Sequence, residues 1–541
     1  MSDKRLCTIA VNQAGYSSGG DKLALFSGNT LRYHIIDTGS GDVVFTGQTG
    51  ANIKDKPSGC RVRSGDFSAL TLPGKYRIEG AEGEHSAAFV VADKPYQELQ
   101  RGLLKAFYYY RCGLELEGEY AGAWGHKACH LAEGTVIGQP GLRLDSSGGW
   151  HDAGDYGKYS GPGAKAVADL LLAWELYPAA FAGVHTLPES DGSLPDVLLE
   201  CTVELDWLFK MQESGSGGVY HKLTTAHFPG LDVMPEEDTA ELYFSPVSAA
   251  ATGDFAGVMA MAARIYKPFD EAYAARCLEA ARAAWSWLTV HPHVPGFTNP
   301  RGITTGEYGD KVDSDERFWA AAELFRTTGD EQFHSAALEL AKLPFPKYSF
   351  GWGDMGGYGT LAYLLIGEAG TEPSLYAELR EGLLAEADRL LRQSRHDGYR
   401  ISLLEQDYIW GSNMLVMNHA MLLLAAEHFS GVQEYAACAL DHLHYLLGRN
   451  VLGISYVSGF GEHAVMHPHH RPSVGDHVLE PVPGLVVGGP DRGLHDKYVK
   501  KHLRRKPAAQ CYADHEDSYS TNEVTIYWNS PALFVTARFN C

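Results

Sequence analysis

The feature that most constrains the fold of this 541-residue chain is a change of hydrophobic pattern near residue 95. Before that point, short apolar runs such as Tyr33-His34-Ile35-Ile36 are separated by turns rich in Gly and Asp, which predicts strands from Ile9 to about Asp93. After that point, apolar residues recur at the spacing of a helix surface, which predicts roughly a dozen helices.

The helical patterns begin at Tyr96 and have almost no strand signal between them. A fold of alternating strands and helices is therefore disfavoured, and helices packed in antiparallel pairs would form a barrel or array. We expect a mainly α protein in which residues 1–94 form a small β-sandwich and residues 95–541 a helical domain. The predicted helices are Tyr96–Tyr110, Gly163–Leu176, Val197–Met211, Asp254–Ile265, Glu271–Thr289, Glu316–Thr327, Glu331–Ala341, Tyr358–Gly367, Leu375–Gln393, Asn413–Glu427 and Gln433–Leu447.

The charge balance argues against two classes of partner. Lys and Arg number 45 against 67 Asp and Glu, a net charge of −22. We expect neither a nucleic-acid partner nor a membrane partner, because phosphate binding needs concentrated positive charge. The only dense basic run, from Lys497 to Lys506, is short, and we interpret it as a solvated face.

The start of the chain and its cysteines indicate the compartment. Residues Met1–Gln13 carry two cations but no apolar stretch of signal-peptide length, and no segment approaches the ~20 apolar residues that span a bilayer. We expect a cytoplasmic protein and a monomer. Nine cysteines are an odd number and do not suggest a disulfide framework, so Cys residues near His are candidates for metal binding.

Two aspartates, Asp152 and Asp155, stand three residues apart in a Gly-rich loop from Gly148 to Tyr159. Such a loop can bring two carboxylates to one place. Acetal hydrolysis needs a carboxylate that takes a proton from water held at the anomeric carbon. The alternative is a cap cluster for the helix that follows, because Asp caps helix N-termini well.

A glutamate, Glu523, comes just before the apolar run that starts at Val524. A carboxyl group in that position can be partly buried, which raises its pKa and suits it to act as a general acid. The alternative is a glutamate that caps the start of a helix.

Imidazoles and a guanidinium are concentrated between Gly459 and Arg471. His469 and Arg471 offer directional donors for sugar hydroxyl groups. The alternative for a loop rich in histidine is a metal site, here formed by His467, His469 and His470.

Together the three stretches resemble glycoside hydrolase family 9, an inverting cellulase family with an (α/α)6 barrel, over nearly the whole chain. The loop with Asp152 and Asp155 is similar to the family's base motif, and His469 with Arg471 to its His-x-Arg signature. The sequence departs at His463, where the family usually has Asn, Lys or Arg. The family's acid signature is matched at Tyr512, Asp514, Tyr519, Glu523, Thr525, Asn529 and Ser530.

The resemblance implies a fold and a set of roles. The segment Val11–Tyr16 is similar to the immunoglobulin-like β-sandwich that precedes the (α/α)6 barrel in one branch of the family. By resemblance, Asp155 is the base, Asp152 helps to hold the water and Glu523 is the acid. Because the family inverts, base and acid are expected roughly 6.5–9.5 Å apart.

The resemblance also implies residues that contact sugar. By resemblance, His469 and Arg471 line the subsites and Tyr519 lies near the reacting ring. Aromatic faces pack on pyranose rings, so Trp410 is the first candidate platform and Trp352 the second. For either tryptophan the alternative is plain core packing.

Four residues suggest a structural zinc site: Cys112, Cys129, His130 and His151. Two thiolates and two imidazoles make a closed tetrahedral site with no position for water. Spacing alone leaves open two free buried cysteines and a surface histidine. The branch with the immunoglobulin-like domain is known for a structural zinc with these ligands, so the resemblance favours zinc.

Two acidic loops are candidate calcium sites, because hard cations prefer carboxylate oxygens. Solvation and helix capping are the alternative for both loops. The resemblance to a family calcium loop supports the second. The first loop offers Glu189, Asp191, Asp196 and Glu200, and the second offers Asp310, Asp313, Asp315, Glu316 and Asp354.

We therefore expect an inverting endo-β-1,4-glucanase that acts on β-glucan or cello-oligosaccharides, with structural Zn²⁺, one or two Ca²⁺ and no organic cofactor. An alternative in the same family is an exo-acting β-glucosidase or exo-β-glucosaminidase on short oligosaccharides. Two other classes stay open: a non-catalytic carbohydrate-binding protein, and a metal-dependent hydrolase built on His467, His469 and His470.

Overall fold

The computed structural model describes residues 6–541, in which strands come first and helices follow. The N-terminal strands are β1 (Ile9–Ala10), β2 (Tyr16–Ser17), β3 (Leu23–Ser27), β4 (Arg32–Asp37), β5 (Val43–Lys54), β6 (Arg61–Asp66), β7 (Gly74–Gly80) and β8 (Phe89–Ala92). The helices are α1 (Gln97–Tyr110), α2 (Gly118–Ala121), α3 (Ser160–Leu176), α4 (Asp196–Met211), α5 (Ala249–Tyr266), α6 (Glu271–Val290), α7 (Ser314–Thr328), α8 (Glu331–Leu340), α9 (Gly356–Leu364), α10 (Pro373–His396), α11 (Ser412–Ser430), α12 (Gln433–Leu446), α13 (Arg471–Gly475), α14 (Lys497–His502), α15 (Tyr519–Asn522) and α16 (Ile526–Arg538).

The N-terminal strands form a β-sheet domain, as the alternating pattern predicts. Their order is β1-β3-β6-β5-β4-β7-β8-β2. The long strand β5 pairs with β4 through Val43–Gln48 and with β6 through Thr49–Lys54, and its pairing with β6 is irregular between Thr49 and Asn52. Alternate residues of β4 are buried, among them Tyr33 and Ile35, and they pack with aromatic residues of other strands into one apolar core.

The described chain divides into two compact units. One comprises the chain up to Ala106 together with Ala387–Cys541, and the other Phe107–Glu386. The β-sheet domain therefore belongs to the same unit as helices α11 to α16. The domain division at residues 94 and 95 stays a prediction.

Helices of the unit Phe107–Glu386 pack closely where glycine allows it. Helix α5 begins after Ser248, whose hydroxyl accepts a hydrogen bond from the Ala251 amide (3.2 Å). Along α5, a Cβ at Gly253 would stand 2.6 Å from the Glu316 Cβ, and one at Gly257 would stand 2.6 Å from the Trp319 ring. Helices α5 and α7 can approach this closely only because both positions lack a side chain.

Short strands also occur among these helices, although the sequence pattern predicts almost none there. They are β9 (Gly134–Val136), β10 (Arg143–Leu144), β11 (Lys158–Tyr159), β12 (Val219–Tyr220), β13 (Lys222–Thr225), β14 (Leu242–Phe244) and β15 (Val247–Ser248). Five of them form a sheet in the order β10-β9-β14-β13-β11. Strands of two to four residues are too short to show a period of two in sequence.

In the other unit, the β-sheet domain is joined to the helical part by buried polar contacts. The side-chain amide nitrogen of Asn12 is 2.8 Å from His444 Nδ1, and the Gln13 side chain donates to the Gly453 carbonyl (2.9 Å). The Asp55 carboxylate accepts from the Gly398 amide (3.0 Å). Within residues 6–541, we find no helix that combines the length and the apolarity required to cross a bilayer.

We expect Asp397 to make the stability of this junction depend on pH. Burial raises the pKa of Asp397 well above its usual value, and the charge of Asp55 raises it further. The folded state binds the Asp397 proton more tightly than the unfolded state does. The contribution of this proton to the free energy of unfolding is therefore fully present below the unfolded pKa of about 3.9 and is lost as pH rises through the folded pKa.

We expect Asp397→Asn to remove this loss, because the asparagine oxygen can still accept from the Tyr399 amide (2.8 Å). The variant should gain about 1.4 kcal/mol in free energy of unfolding for each pH unit between the two pKa values. Urea unfolding between mildly acidic and alkaline pH measures the gain. Asp42→Asn, at an exposed position, is the control. An unchanged pH dependence in Asp397→Asn would contradict the prediction.

Candidate active site

Asp152 and Asp155 lie in a buried loop of the unit Phe107–Glu386. Asp152 is 1% exposed and Asp155 is 7% exposed. The Asp152 amide donates to the Gly157 carbonyl (2.9 Å), and the Gly157 amide donates to Asp155 Oδ1 (2.7 Å). These bonds fold the loop back on itself, so the two carboxylates occupy one region, as the spacing predicts.

The two oxygens of Asp152 have different surroundings. Oδ2 accepts a hydrogen bond from the Tyr308 hydroxyl (2.6 Å), whereas the buried Oδ1 has no hydrogen-bond partner among the described residues. Burial raises the pKa of Asp152 well above its usual value and the charge of Asp155 adds to this, while the Tyr308 hydroxyl acts in the opposite direction. An unpartnered buried oxygen is a position where a water molecule can be held.

Basic and acidic side chains fix the start of this loop. The Lys158 ammonium donates to the carbonyls of Ser146 (2.6 Å) and Gly148 (2.7 Å). The Trp150 amide donates to Glu204 Oε2 (2.7 Å), and burial raises the pKa of Glu204 to about 8. The backbone before Asp152 is therefore held by residues of α4 and β11.

In the other unit, the stretch with Glu523 is paired with the histidine loop. The His469 amide donates to the Asn522 carbonyl (2.8 Å), and the Gly488 amide donates to the Glu523 carbonyl (2.9 Å). The Asp514 carboxylate accepts from the His467 amide (2.8 Å). Glu523 is half-buried. Backbone hydrogen bonds therefore hold the stretch with Glu523 against the loop with His469 and Arg471.

Aromatic rings border Glu523 in the same unit. Tyr519 lies against Trp410 (ring centroids 5.2 Å apart) and against His469 (6.0 Å). Trp410 is 42% exposed, so it is not a core residue. Arg471, which follows His469 by two residues, is buried. These residues form an aromatic and polar surface with an open face.

Trp352 lies in the unit that holds the two aspartates. Its ring is perpendicular to that of Tyr308 (centroids 4.8 Å apart), the residue that donates to Asp152. Trp352 is half-buried. Trp352, the second candidate platform, is thus connected to the aspartate pair through Tyr308.

The four predicted zinc ligands come together. One ligand atom from each of Cys112, Cys129, His130 and His151 lies within 4.8 Å of the others, and all four residues are buried. Nδ1 of His130 and Nε2 of His151 lack hydrogen-bond partners among the described residues, whereas Nε2 of His130 lies 3.6 Å from the Asp238 carboxylate. Buried imidazole nitrogens without partners fit a metal ion with two sulfur and two nitrogen ligands.

The second acidic loop lies at a cluster of buried carboxylates. Asp310, Asp315 and Glu316 are joined by Asp254 of α5, and oxygens of Asp254, Asp310 and Glu316 have no hydrogen-bond partners among the described residues. Burial and their mutual charges raise the pKa of Asp254 and Glu316 well above the usual range. Burial also raises the pKa of Asp315 to about 6.

The carboxylates of this cluster repel one another, and a hard cation bound among them would supply the opposite charge. Asp354 is exposed, and partial burial together with the charge of Asp310 raises its pKa. A Cβ at Gly353, the residue before Asp354, would stand 3.3 Å from Asp310 Oδ2, so the Asp310 carboxylate lies beside this turn. Asp313 has another partner: its carboxylate accepts from Arg317 (2.9 Å). We therefore leave Asp313 out of the candidate ligand set.

The first acidic loop is already neutralised by a side chain. The buried Arg111 guanidinium donates to Glu189 (2.8 Å) and to Glu200 (2.8 Å). Asp196 accepts from the Ser190 hydroxyl (2.6 Å), and the exposed Asp191 accepts from Ser193. Because arginine supplies the positive charge and every carboxylate has a donor, this loop offers no cage for a cation.

The histidine loop does not form the alternative metal site. Among the described residues, only the Cys112 cluster brings its ligand atoms within 4.8 Å of one another; His467, His469 and His470 do not meet this distance, and the carboxylates around Asp254 do not meet it either without a cation to draw them together. His470 Nδ1 instead lies 2.8 Å from the Ser473 hydroxyl. His463 is exposed, and its amide donates to Gln13.

The model of glycosyl hydrolase family 9 matches residues 96–536, and that of the cellulase N-terminal ig-like domain matches residues 7–85. The chain belongs to glycosyl hydrolase family 9. This confirms the predicted family. The chain is a glycoside hydrolase, which disfavours the alternative of a non-catalytic carbohydrate-binding protein.

Three similar proteins illustrate this family membership. A cellodextrinase of Butyrivibrio fibrisolvens is 40% identical over 97% of this chain and 98% of its own length. The structure of a thermostable endoglucanase from Alicyclobacillus acidocaldarius has a TM-score of 0.93 at 42% identity, over 98% of this chain and 99% of that one. A Zn-binding triple mutant of the family 9 endoglucanase J30 has a TM-score of 0.92 at 35% identity, over 97% of this chain and 100% of that one.

Sequence reasoning missed two residues of this family 9 chain. Tyr308 precedes the Asp310 loop with a positive φ (+46°), and the glycines around it, Gly306 and Gly309, were the available signal. Asp254 interrupts the apolar pattern of α5, and a carboxylate inside such a helix is an indication of function. Both residues are distant in sequence from the groups they join.

Proposed function

We propose that this family 9 protein hydrolyses β-1,4-glycosidic bonds in glucans or cello-oligosaccharides with inversion, and that it acts as an endo-β-1,4-glucanase. The observation that carries the proposal is the buried Asp152–Asp155 pair, in which one oxygen of Asp152 is unpartnered. Inverting hydrolysis requires a water molecule held by carboxylates on the face of the sugar opposite the leaving group.

In this mechanism, Asp155 takes a proton from the attacking water as it adds to the anomeric carbon. Asp152 Oδ1 accepts a hydrogen bond from the same water, while Tyr308 holds Oδ2. Glu523 gives its proton to the glycosidic oxygen, so that the leaving sugar departs as a neutral alcohol. Each residue then has one role, and the catalytic carboxylates exchange protons with solvent before the next cycle.

The aromatic and polar surface beside Glu523 suits sugar binding. We assign Trp410 and Trp352 as platforms for pyranose faces and Tyr519, His469 and Arg471 as contacts near the reacting ring. The exposure of Trp410 supports this assignment, because a large apolar ring open to solvent has a face available for a ligand. We also propose that the helices form the (α/α)6 barrel of the family.

We propose a structural Zn²⁺ on Cys112, Cys129, His130 and His151. Such an ion contributes a fixed cross-link and no reactive water. Because His151 directly precedes Asp152, its ligation would anchor the loop with the two aspartates. The unpartnered imidazole nitrogens support the proposal.

We also propose a Ca²⁺ on Asp254, Asp310, Asp315 and Glu316, with Asp354 at its edge. The proposal predicts that Asp254→Asn loses most of the stability gained from calcium, about 3 kcal/mol at concentrations far above Kd. Without calcium, the same variant should be more stable than the wild type, because one repelling carboxylate is removed.

Thermal unfolding in EDTA and in excess calcium measures this difference. Asp191→Asn, an exposed residue of the loop neutralised by Arg111, is the matched control and should respond to calcium like the wild type. An equal gain from calcium in Asp254→Asn and in the wild type would exclude Asp254 as a ligand.

A second candidate is an exo-acting enzyme on short oligosaccharides, which the similarity to a cellodextrinase favours. Product size distinguishes the two candidates. An endo-acting enzyme lowers the viscosity of a soluble β-glucan early, before many reducing ends appear. An exo-acting enzyme releases short sugars at nearly constant viscosity, and that result would overturn the endo assignment. Release of glucosamine from chitosan oligomers would indicate the exo-β-glucosaminidase.

A further inference from the structure

A dense basic segment stands out on this acidic protein. Residues 497–506, here called the basic ridge, contain six lysines and arginines, whereas an average stretch of ten residues in this chain contains fewer than one. All six are exposed, and none takes part in an ion pair among the described residues. They are Lys497, Lys500, Lys501, Arg504, Arg505 and Lys506.

The ridge is fixed to the stretch that carries Glu523. The buried Asp496, just before α14, accepts a hydrogen bond from the Val499 amide (2.8 Å) through Oδ1. Its Oδ2 accepts from the hydroxyls of Ser518 (2.9 Å) and Ser520 (2.8 Å). One buried carboxylate therefore caps the basic helix and ties it to the residues around Tyr519.

The ridge also begins beside the candidate platform. The ring of His495, two residues before Lys497, has its centroid 6.3 Å from that of Trp410, and the Tyr519 hydroxyl donates to the His495 carbonyl (3.2 Å). The six-residue helix α14 is only about 9 Å long. Its cations thus stand within a few residues of the surface proposed to hold sugar.

We propose that the basic ridge binds anionic substituents on the glucan chain and makes the enzyme prefer a carboxylate-bearing glucan to a neutral one. The proposal rests on the proposed function. The net charge of −22 repels such a polymer from most of the protein, so a local positive surface beside the platform is where its carboxylates can be accommodated. The position of the ridge beside the platform favours a sugar chain over a nucleic acid.

The test compares carboxymethyl and hydroxyethyl cellulose of equal chain length and degree of substitution. These polymers differ in substituent charge while sharing the same backbone. The readout is the ratio of kcat/KM on the anionic polymer to kcat/KM on the neutral one. In K500E/K501E/R504E we expect this ratio to fall about tenfold at low salt, with an unchanged melting temperature, and the difference to vanish in high salt.

The matched control is K54E/K75E/K267E, which makes the same change of charge at exposed positions outside the ridge. Its ratio should equal that of the wild type. A similar fall in the control would overturn the proposal, because net charge alone would explain it. An unchanged ratio in the ridge variant would also overturn the proposal. If the ratio is unchanged and the ridge binds single-stranded RNA, the ridge is a nucleic-acid site instead. A wild type that hydrolysed neither polymer would instead contradict the proposed function.

Discussion

Glu523→Gln is expected to lower kcat on cellotetraose about 10³-fold, because the leaving sugar alkoxide is a poor leaving group without a proton. The glutamine side chain has the same size as the carboxyl group and cannot donate that proton. Binding of cello-oligosaccharide should be retained, since Trp410, Tyr519 and the histidine loop are unchanged. Steady-state kinetics and isothermal titration measure the two effects separately.

An activated substrate makes this result diagnostic. On dinitrophenyl β-cellobioside the leaving group needs no proton, so Glu523→Gln should lose far less activity there. Asp155→Asn should lose activity on both substrates, because water must be activated in either case. Glu516→Gln, an exposed residue of the same stretch, is the control and should match the wild type. Equal losses of Glu523→Gln on both substrates would exclude it as the acid.

Cys112→Ser is expected to remove the zinc and with it about 4 kcal/mol or more of stability, since loss of a structural metal is among the most damaging single changes. The activity should fall as well. His151 is both a candidate ligand and the neighbour of Asp152, and without the ion its Nε2 atom would be buried with no hydrogen-bond partner among the described residues. Metal analysis, thermal unfolding and kcat on cellotetraose measure the three consequences.

Cys277→Ser is the matched control for this experiment. Cys277 is also a buried thiol, but it lies outside the cluster, in helix α6. Its substitution should cost stability through packing while the protein keeps its zinc and its kcat. A zinc-free Cys112→Ser protein with full activity would show that the ion does not support the aspartate loop.

Much of the secondary structure could be read from the sequence, because long amphipathic helices have a strong period. The pattern at Glu271–Thr289, for example, corresponds to helix α6 at Glu271–Val290. The strands between the helices could not be predicted, since β11 and β12 have two residues each. Tertiary pairing, not local pattern, determines elements of that length.

The candidate site likewise contains residues that the sequence pattern could predict and residues that it could not. Asp152, Asp155 and the four candidate zinc ligands could be proposed from the sequence because each belongs to a compact motif or a typical ligand type, and the resemblance to family 9 favoured these roles. Asp254 could not be added to the acidic loop, because its place depends on the close packing of α5 on α7 at Gly253.

Arg111 was also beyond sequence reasoning. A run of acidic residues looks the same whether a metal or a guanidinium neutralises it. Only the structure shows that Arg111 reaches Glu189 and Glu200, residues far from it along the chain.

The most direct test of the central claim, inversion by a base and an acid with water between the base and the sugar, is the anomer of the first product. Proton NMR of fresh cellotetraose hydrolysate, recorded before mutarotation, reports the configuration at the new reducing end. Attack of water held by Asp155 opposite the leaving group predicts the α-anomer. Early appearance of the β-anomer would mean retention through a covalent intermediate and would contradict the account.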